Sequence, residues 1–320
     1  MTGNVKRELQ ISNLRQLPPS EDAVPGSVPL ATTTALAVSA GVLAPLIPPS
    51  IAFVIWGVIA EQSIARLFSA GILPGLIMAA GMVVVCYWHA KKNKIPTQPR
   101  ASLSEIGHAL KDGIWALLAP IIVLGGIYGG VFTPTEAAVV SCVYALIIGI
   151  FVEKRLKLQM INDIVWRSLK VTAIVMSIIV FSTGFGVLVA QEQIAPKLAT
   201  WLSQNIHEKW IMLLVLNVVF FLLAAVMDEI AIMVVLGPLL IAIANSFSIN
   251  PIHFGAIIVT NVAIGMAAPP IGYCLFVGMA ISGLKLSQIA RVIMPFIAIM
   301  LVVLMLVTYV PEFALALQPK

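Results

Sequence analysis

Nine apolar stretches follow one another along the chain, at 32–60, 67–90, 113–132, 135–152, 164–190, 210–227, 230–247, 252–282 and 289–310. A bilayer core is crossed by about 20 apolar residues in a helix. The fold class read from this pattern is all-α, a polytopic membrane protein. Composition agrees: 60% of residues are hydrophobic and 10% are charged, against about 25% charged in a soluble domain. That balance excludes a soluble enzyme, a disordered protein and a nucleic-acid binder. The net charge of +5 is assigned to basic cytoplasmic loops rather than to a polyanion partner. Cys86, Cys142 and Cys274 sit in apolar stretches without a CxxC spacing, which argues against a disulfide framework or a zinc site.

Residues 1–30 are polar, mixed in charge and without an apolar core. They do not read as a signal peptide, and a disordered tail is expected there. Loops 91–112 and 153–170 carry most of the Lys and Arg between spans, so both are expected on the cytoplasmic side. The link at Thr133-Pro134 then faces outward. Segment 191–209 is amphipathic and is expected to lie along the outer surface.

Two stretches are interrupted by paired prolines, Pro48-Pro49 and Pro269-Pro270. A proline pair removes two donors and clashes with the preceding turn. Each stretch therefore reads as two half-helices joined by unwound backbone. Such backbone is tolerated at membrane depth only where it is buried or lines a cavity. An offset of 221 lays residues 47–57 over 268–278, and Ser39 over Thr260. Broken segments at corresponding places of two halves point to a transporter site. Half-helix N-termini suit an anion, and unwound carbonyls suit Na⁺. Met227-Asp228-Glu229 separates two apolar runs and marks either a short turn or the tip of a re-entrant hairpin.

Three stretches then bear a family resemblance. Residues 43–76 (LAPLIPPSIAFVIWGVIAEQSIARLFSAGILPGL), 125–149 with its FTPTEAA core, and 250–277 (NPIHFGAIIVTNVAIGMAAPPIGYCLFV) resemble the large membrane subunit of the tripartite ATP-independent periplasmic (TRAP) transporters. The signature residues are Thr133, Pro134, Thr135 and Glu136. The resemblance implies a sodium-coupled importer of small organic acids, C4-dicarboxylates by default, in the bacterial inner membrane. It implies an elevator with two inverted repeats, each holding a re-entrant hairpin and a broken helix. It implies as partners a small four-helix membrane subunit and a periplasmic substrate-binding protein, with Na⁺ as coupling ion and no other cofactor. It also makes 210–245 the second hairpin, with Asp228 at its tip. Candidate ligands in that half are Asp228, Asn261, Gly265, Ala268, Pro269, Pro270 and Gly272. In the first half they are Ser39, Gly41, Pro48, Pro49 and Ser50. The chain divides into a tail at 1–30, a first-repeat remnant with following spans at 31–152, and a second repeat at 153–320.

Three departures from the family pattern stand out. Ala268 replaces the usual Thr before the second proline pair. Alanine, at Ala224, replaces the tip glycine, which matters if the turn needs positive φ or close ion approach. The resemblance starts near residue 31, past the end of the expected first hairpin. The chain is therefore expected to lack that hairpin and to be unable to transport by itself, or to serve as a non-transporting scaffold of the same fold.

Other residues are read locally. Glu136 is expected to complete a helix cap with Thr133 or Thr135. Glu229 is expected to be solvated. Gly125, Gly126, Gly129 and Gly130 suggest close helix packing. Trp56, Trp88, Trp166, Trp201 and Trp210 read as interface anchors. Loop ends and interfaces account for His89, His108, His207 and His253. No GxSxG, HExxH or phosphate loop occurs, so no enzyme is expected.

Overall fold

The structure, a computed structural model, describes residues 29–93, 95, 101–206, 208–269 and 272–318. The expected tail, His207 and Pro270 lie outside the described residues. Thirteen α-helices are described: α1 Leu30–Gly41, α2 Ile51–Ile59, α3 Ile64–Lys92, α4 Leu103–Tyr128, α5 Pro134–Ile147, α6 Leu158–Gln191, α7 Ile194–Asn205, α8 Lys209–Ala224, α9 Glu229–Ser246, α10 Pro251–Gly265, α11 Tyr273–Ser282, α12 Leu286–Tyr309 and α13 Glu312–Leu315. A π-helical turn, Ile148–Val152, continues α5. Among the described residues, six segments are long and apolar enough to cross a membrane: α3, α4, Pro134–Val152, Gln159–Phe181 within α6, α9 and α12. The chain is an all-α, multi-pass membrane protein.

Local signals set the helix starts. Ser50 caps α2 by accepting from Phe53 N. Asn250 caps α10 by accepting from Ile252 N at 2.9 Å, with Pro251 at the first helical position. Proline is pre-organised there, and its missing N–H is one that the helix leaves free. The proline pairs break the helices where expected, leaving 42–50 between α1 and α2, and 266–272 between α10 and α11.

The three helices that begin at Leu30, Ile51 and Ile64 recur as three that begin at Pro251, Tyr273 and Leu286, displaced by 221, 222 and 222 residues. The two sets pack reciprocally. Helix α1 lies against α11 and α12, while α10 lies against α2 and α3. Helices α3 and α12 lie against each other. That exchange is what an approximate two-fold relation between the sets would give.

Helix α10 is the centre of the core: every residue from Ile252 to Gly265 is buried. Trp56 is seated on it and is 1% exposed. Its Nε1 donates to Pro251 O at 3.2 Å, and its ring meets Phe254 edge to face, with centroids 5.8 Å apart. The indole fits because Gly255 has no side chain; a Cβ there would strike it. Trp56 is thus a core residue and not an interface anchor, while Trp88 and Trp166 are exposed as expected. His253 is also buried, with Nε2 2.8 Å from Val307 O. It joins α10 to α12, so the loop-end reading of this histidine is corrected.

Helices α4, α5 and α6 bury little, and large side chains such as Phe151 and Phe181 stand free on them. An apolar surface of this kind is what lipid or a membrane partner covers.

Candidate functional site

Helices α8 and α9 form a helical hairpin. With 16 residues, α8 is roughly 24 Å long at 1.5 Å per residue, which is short of a hydrocarbon core of about 30 Å. One side of its tip is packed: Ala224 and Ala225 are buried, while Val226, Met227 and Asp228 are exposed. A Cβ added at Gly265, the last residue of α10, would overlap Ala224 Cβ and lie 3.0 Å from the Ala224 carbonyl carbon. The tip therefore rests on the start of the second break, which favours the re-entrant reading over a plain loop. Ala225 has φ −68° and ψ −17°, and no tip residue has positive φ. Alanine at the tip costs nothing in conformation. The close approach is made possible by glycine on the opposite side, at Gly265.

The two acids at the tip differ from expectation. Asp228 is exposed, and its Oδ1 accepts from Ile230 N at 3.0 Å as the N-cap of α9. Its observed role is to stabilise the tip. Glu229 is not solvated: its Oε2 is enclosed and has no hydrogen-bond partner among the described residues. It lies within electrostatic reach of Cys274 on α11. Cys274 Sγ is in turn 3.8 Å from where a Cβ on Gly41 would sit. Glu229, Cys274 and Gly41 thus bring the hairpin, the second broken helix and the first broken helix to one place. Helix starts explain the exchange of roles. Whichever acid occupies the N-cap takes the first free N–H groups, and the next residue turns inward with the helix.

Within the second break, Cys274 N donates to Met266 O at 2.9 Å and Gly272 N donates to Ala268 O at 3.1 Å. A Cβ on Gly272 would be 2.7 Å from both carbonyl oxygens. Only glycine fits there. Ala268 is buried, and its carbonyl remains although the hydroxyl of a threonine is absent. The first break is a run of tight turns, with Val42 N on Ser39 O, Leu43 N on Ala40 O and Ala44 N on Gly41 O, each at 3.1 Å. Ser50 Oγ donates to Pro45 O and accepts from Phe53 N, so it serves its own loop. Pro48 is buried and Pro49 exposed. A Cβ on Gly71 of α3 would strike Leu46 O and the Phe53 ring, so α3 braces this break. Ser39 is fully buried, and its Oγ has no hydrogen-bond partner among the described residues. Its repeat counterpart, Thr260, donates to Ala256 O at 2.6 Å.

Residues 28–313 match the family model of the tripartite ATP-independent periplasmic transporter, DctM component. The chain belongs to this family. It is 39% identical over 289 residues to the C4-dicarboxylate TRAP transporter large permease protein DctM of Pseudomonas aeruginosa, which covers 90% of this chain and 68% of that protein. It is 34% identical over 310 residues to the sialic acid TRAP transporter large permease protein SiaM of Vibrio cholerae, covering 97% and 70% respectively. A third relative, the ectoine/5-hydroxyectoine large permease protein UehC of Ruegeria pomeroyi, is 34% identical over 284 residues, 89% of this chain and 66% of that protein. The chain spans about two thirds of the length of each of these relatives. TRAP permeases are transporters, so the chain is not an enzyme.

The expected signature Thr133-Pro134-Thr135-Glu136 starts α5, which packs on α4 and not on the hairpin α8–α9. Thr133 N and Thr133 Oγ1 donate to Glu136 Oε2 at 2.8 and 2.9 Å, and Glu136 N donates back to Thr133 Oγ1 at 3.3 Å. This is a capping box, with Pro134 at the first helical position and Thr135 exposed beside it. The nearby glycines do not pack helices together. Gly125 faces open space, Gly126 makes room for the Phe132 ring, and Gly130 takes φ +68° to end the turn. The motif builds a helical hairpin, and the inter-helix reading of its glycines is corrected. Thr133→Val is expected to lower the Tm by about 2–4 °C through loss of the cap, with transport within about twofold of wild type. Transport lost at an unchanged Tm would place Glu136 in the transport path instead.

Two residues carried no motif yet are linked to the candidate ligand Asn261: Asn217, which accepts from Asn261 Nδ2, and Thr308, which accepts from Asn217 Nδ2. Asn217 is the only polar residue in the stretch 210–227, and Thr308 lies near the end of the last apolar stretch. A single amide in an otherwise apolar helix is the signal that would have found the first.

Proposed function

We propose that this chain is the large permease subunit of a sodium-coupled TRAP transporter in the bacterial inner membrane. It imports a small organic acid, of C4-dicarboxylate type, delivered by a periplasmic binding protein, and it works with the small four-helix membrane subunit. The observation that supports this best is the hairpin tip at Ala224 seated on Gly265 where the second helix breaks. A movable tip over unwound backbone is a means of enclosing a bound ion and substrate. The N-termini of the half-helices α2 and α11 present the positive end of the helix dipole, which favours a carboxylate. The carbonyls of the breaks offer neutral oxygens to Na⁺. The C4-dicarboxylate assignment follows the names of relatives from Pseudomonas aeruginosa and Rhodobacter capsulatus.

The test is co-reconstitution with the small subunit in proteoliposomes, with binding protein and labelled C4-dicarboxylate outside. Uptake that requires both the binding protein and an inward Na⁺ gradient is the expected result. Uptake that persists with K⁺ replacing Na⁺ overturns the coupling ion. Assembly with the small subunit and no uptake of any tested acid assigns the chain a scaffold role.

A further inference from the structure

Asn217, Asn261 and Thr308 lie on α8, α10 and α12, are all buried, and form one chain of hydrogen bonds. Thr308 Oγ1 donates to Leu304 O at 2.7 Å, so its lone pairs are left to receive Asn217 Nδ2 at 2.9 Å. That orientation turns Asn217 Oδ1 toward α10. There it and the main-chain oxygen of Asn217 each accept from Asn261 Nδ2, both at 2.9 Å. The polarity runs one way. A flipped Asn261 amide would set its oxygen against two acceptors. Asn261 Oδ1 is thereby held away from α8, in a residue 1% exposed, with no hydrogen-bond partner among the described residues. A buried acceptor left unpaired costs free energy that a ligand would recover. One turn further along α10, Gly265 carries the hairpin tip.

We propose that Asn217 and Thr308 are positioning residues that hold Asn261 Oδ1 as a neutral oxygen ligand of the coupling cation, a proposal that rests on the sodium-coupled reading above. An amide oxygen suits this task because it binds a monovalent cation without bringing a second buried charge into the membrane. The relay uses three helices to fix one atom. A purely structural amide pair would instead satisfy all of its polar atoms.

The experiment titrates Na⁺ against the Tm of the purified permease in nanodiscs, with choline holding ionic strength constant. The wild-type Tm rises with Na⁺. Asn217→Ala raises the half-saturating Na⁺ about tenfold, because Asn261 loses one of its two anchoring acceptors. Thr308→Val raises it about threefold, and Thr308→Ser stays within about twofold. Thr308→Val alters a single hydroxyl and decides the matter should Asn217→Ala not purify folded. Variants that lower the Na⁺-free Tm but keep the wild-type half-saturation overturn the positioning role and leave sodium coupling intact. A wild-type Tm that ignores Na⁺ overturns the sodium reading and this assignment together.

Discussion

Gly265→Ala is expected to cut uptake by about 100-fold, and Ala224→Gly in the same chain is expected to restore a large part of it. Gly265 lies in a helix without positive φ, so alanine is allowed there and is the better helix former by about 1 kcal/mol. Helix propensity alone would make the variant more stable. The contact decides the sign. The new Cβ would overlap Ala224 Cβ and stand 3.0 Å from the Ala224 carbonyl carbon and 3.2 Å from its Cα. Carbon atoms prefer about 3.5–4.0 Å, so the hairpin tip must move by roughly 1 Å. That displacement carries Asp228 and Glu229 with it and opens the seat over the break. The reciprocal change, Ala224→Gly, removes the Cβ–Cβ overlap and leaves the two main-chain approaches, so rescue is partial. Gly125→Ala is the control, since nothing lies within 4 Å of its new Cβ; uptake should stay at the wild-type level. A double variant no better than Gly265→Ala alone would show that the tip does not sit on Gly265 during transport.

The parts of the fold that were legible in the sequence are those set by backbone chemistry. The proline pairs break helices because proline lacks a donor, wherever the chain happens to be. The helical boundaries followed: 32–60 became α1 and α2, and 252–282 became α10 and α11, whereas the hairpin α8–α9 within 210–245 was implied by the family resemblance and not by backbone chemistry. The cap at Thr133 and Glu136 was legible for the same reason. What sequence could not supply was the side of each helix that faces protein. In a membrane protein, lipid-facing and core-facing residues are both apolar, so hydropathy cannot separate them. Trp56 and Trp88 look alike in sequence. One is seated on Gly255, far along the chain, and the other is half exposed. Asp228 and Glu229 are adjacent acids, and only the helix start decides which one caps and which one turns inward. Asn217 acquires meaning only through Asn261 and Thr308 on other helices.

Trp56→Ala is expected to cost about 3–5 kcal/mol of unfolding free energy, measured by denaturation in mixed detergent micelles. In a bilayer, removing apolar surface from lipid yields little, because lipid tails are as apolar as the side chains. The cost comes from lost dispersion contacts and from the cavity left behind. Both are large at this position. The ring meets Phe254 edge to face and fills the space over Gly255, where α10 has no side chain that could relax into the gap. Trp56→Phe should cost much less. It keeps most of the ring and gives up the Nε1 bond to Pro251 O, an oxygen at the start of α10 that can still accept from its own helix. Trp88→Ala, on an exposed ring, should stay within about 0.5 kcal/mol of wild type. The placement also predicts where the damage appears. Trp56 belongs to α2 and grips α10, so its loss loosens the buried helix α10 from the half-helix α2. Uptake should then fall more steeply with temperature than in wild type, while the tip contact at Ala224 and Gly265 stays formed at low temperature. A Trp56→Ala protein as stable as Trp88→Ala would put the indole outside the core and show that the α2–α10 contact does not hold the two sets of helices together.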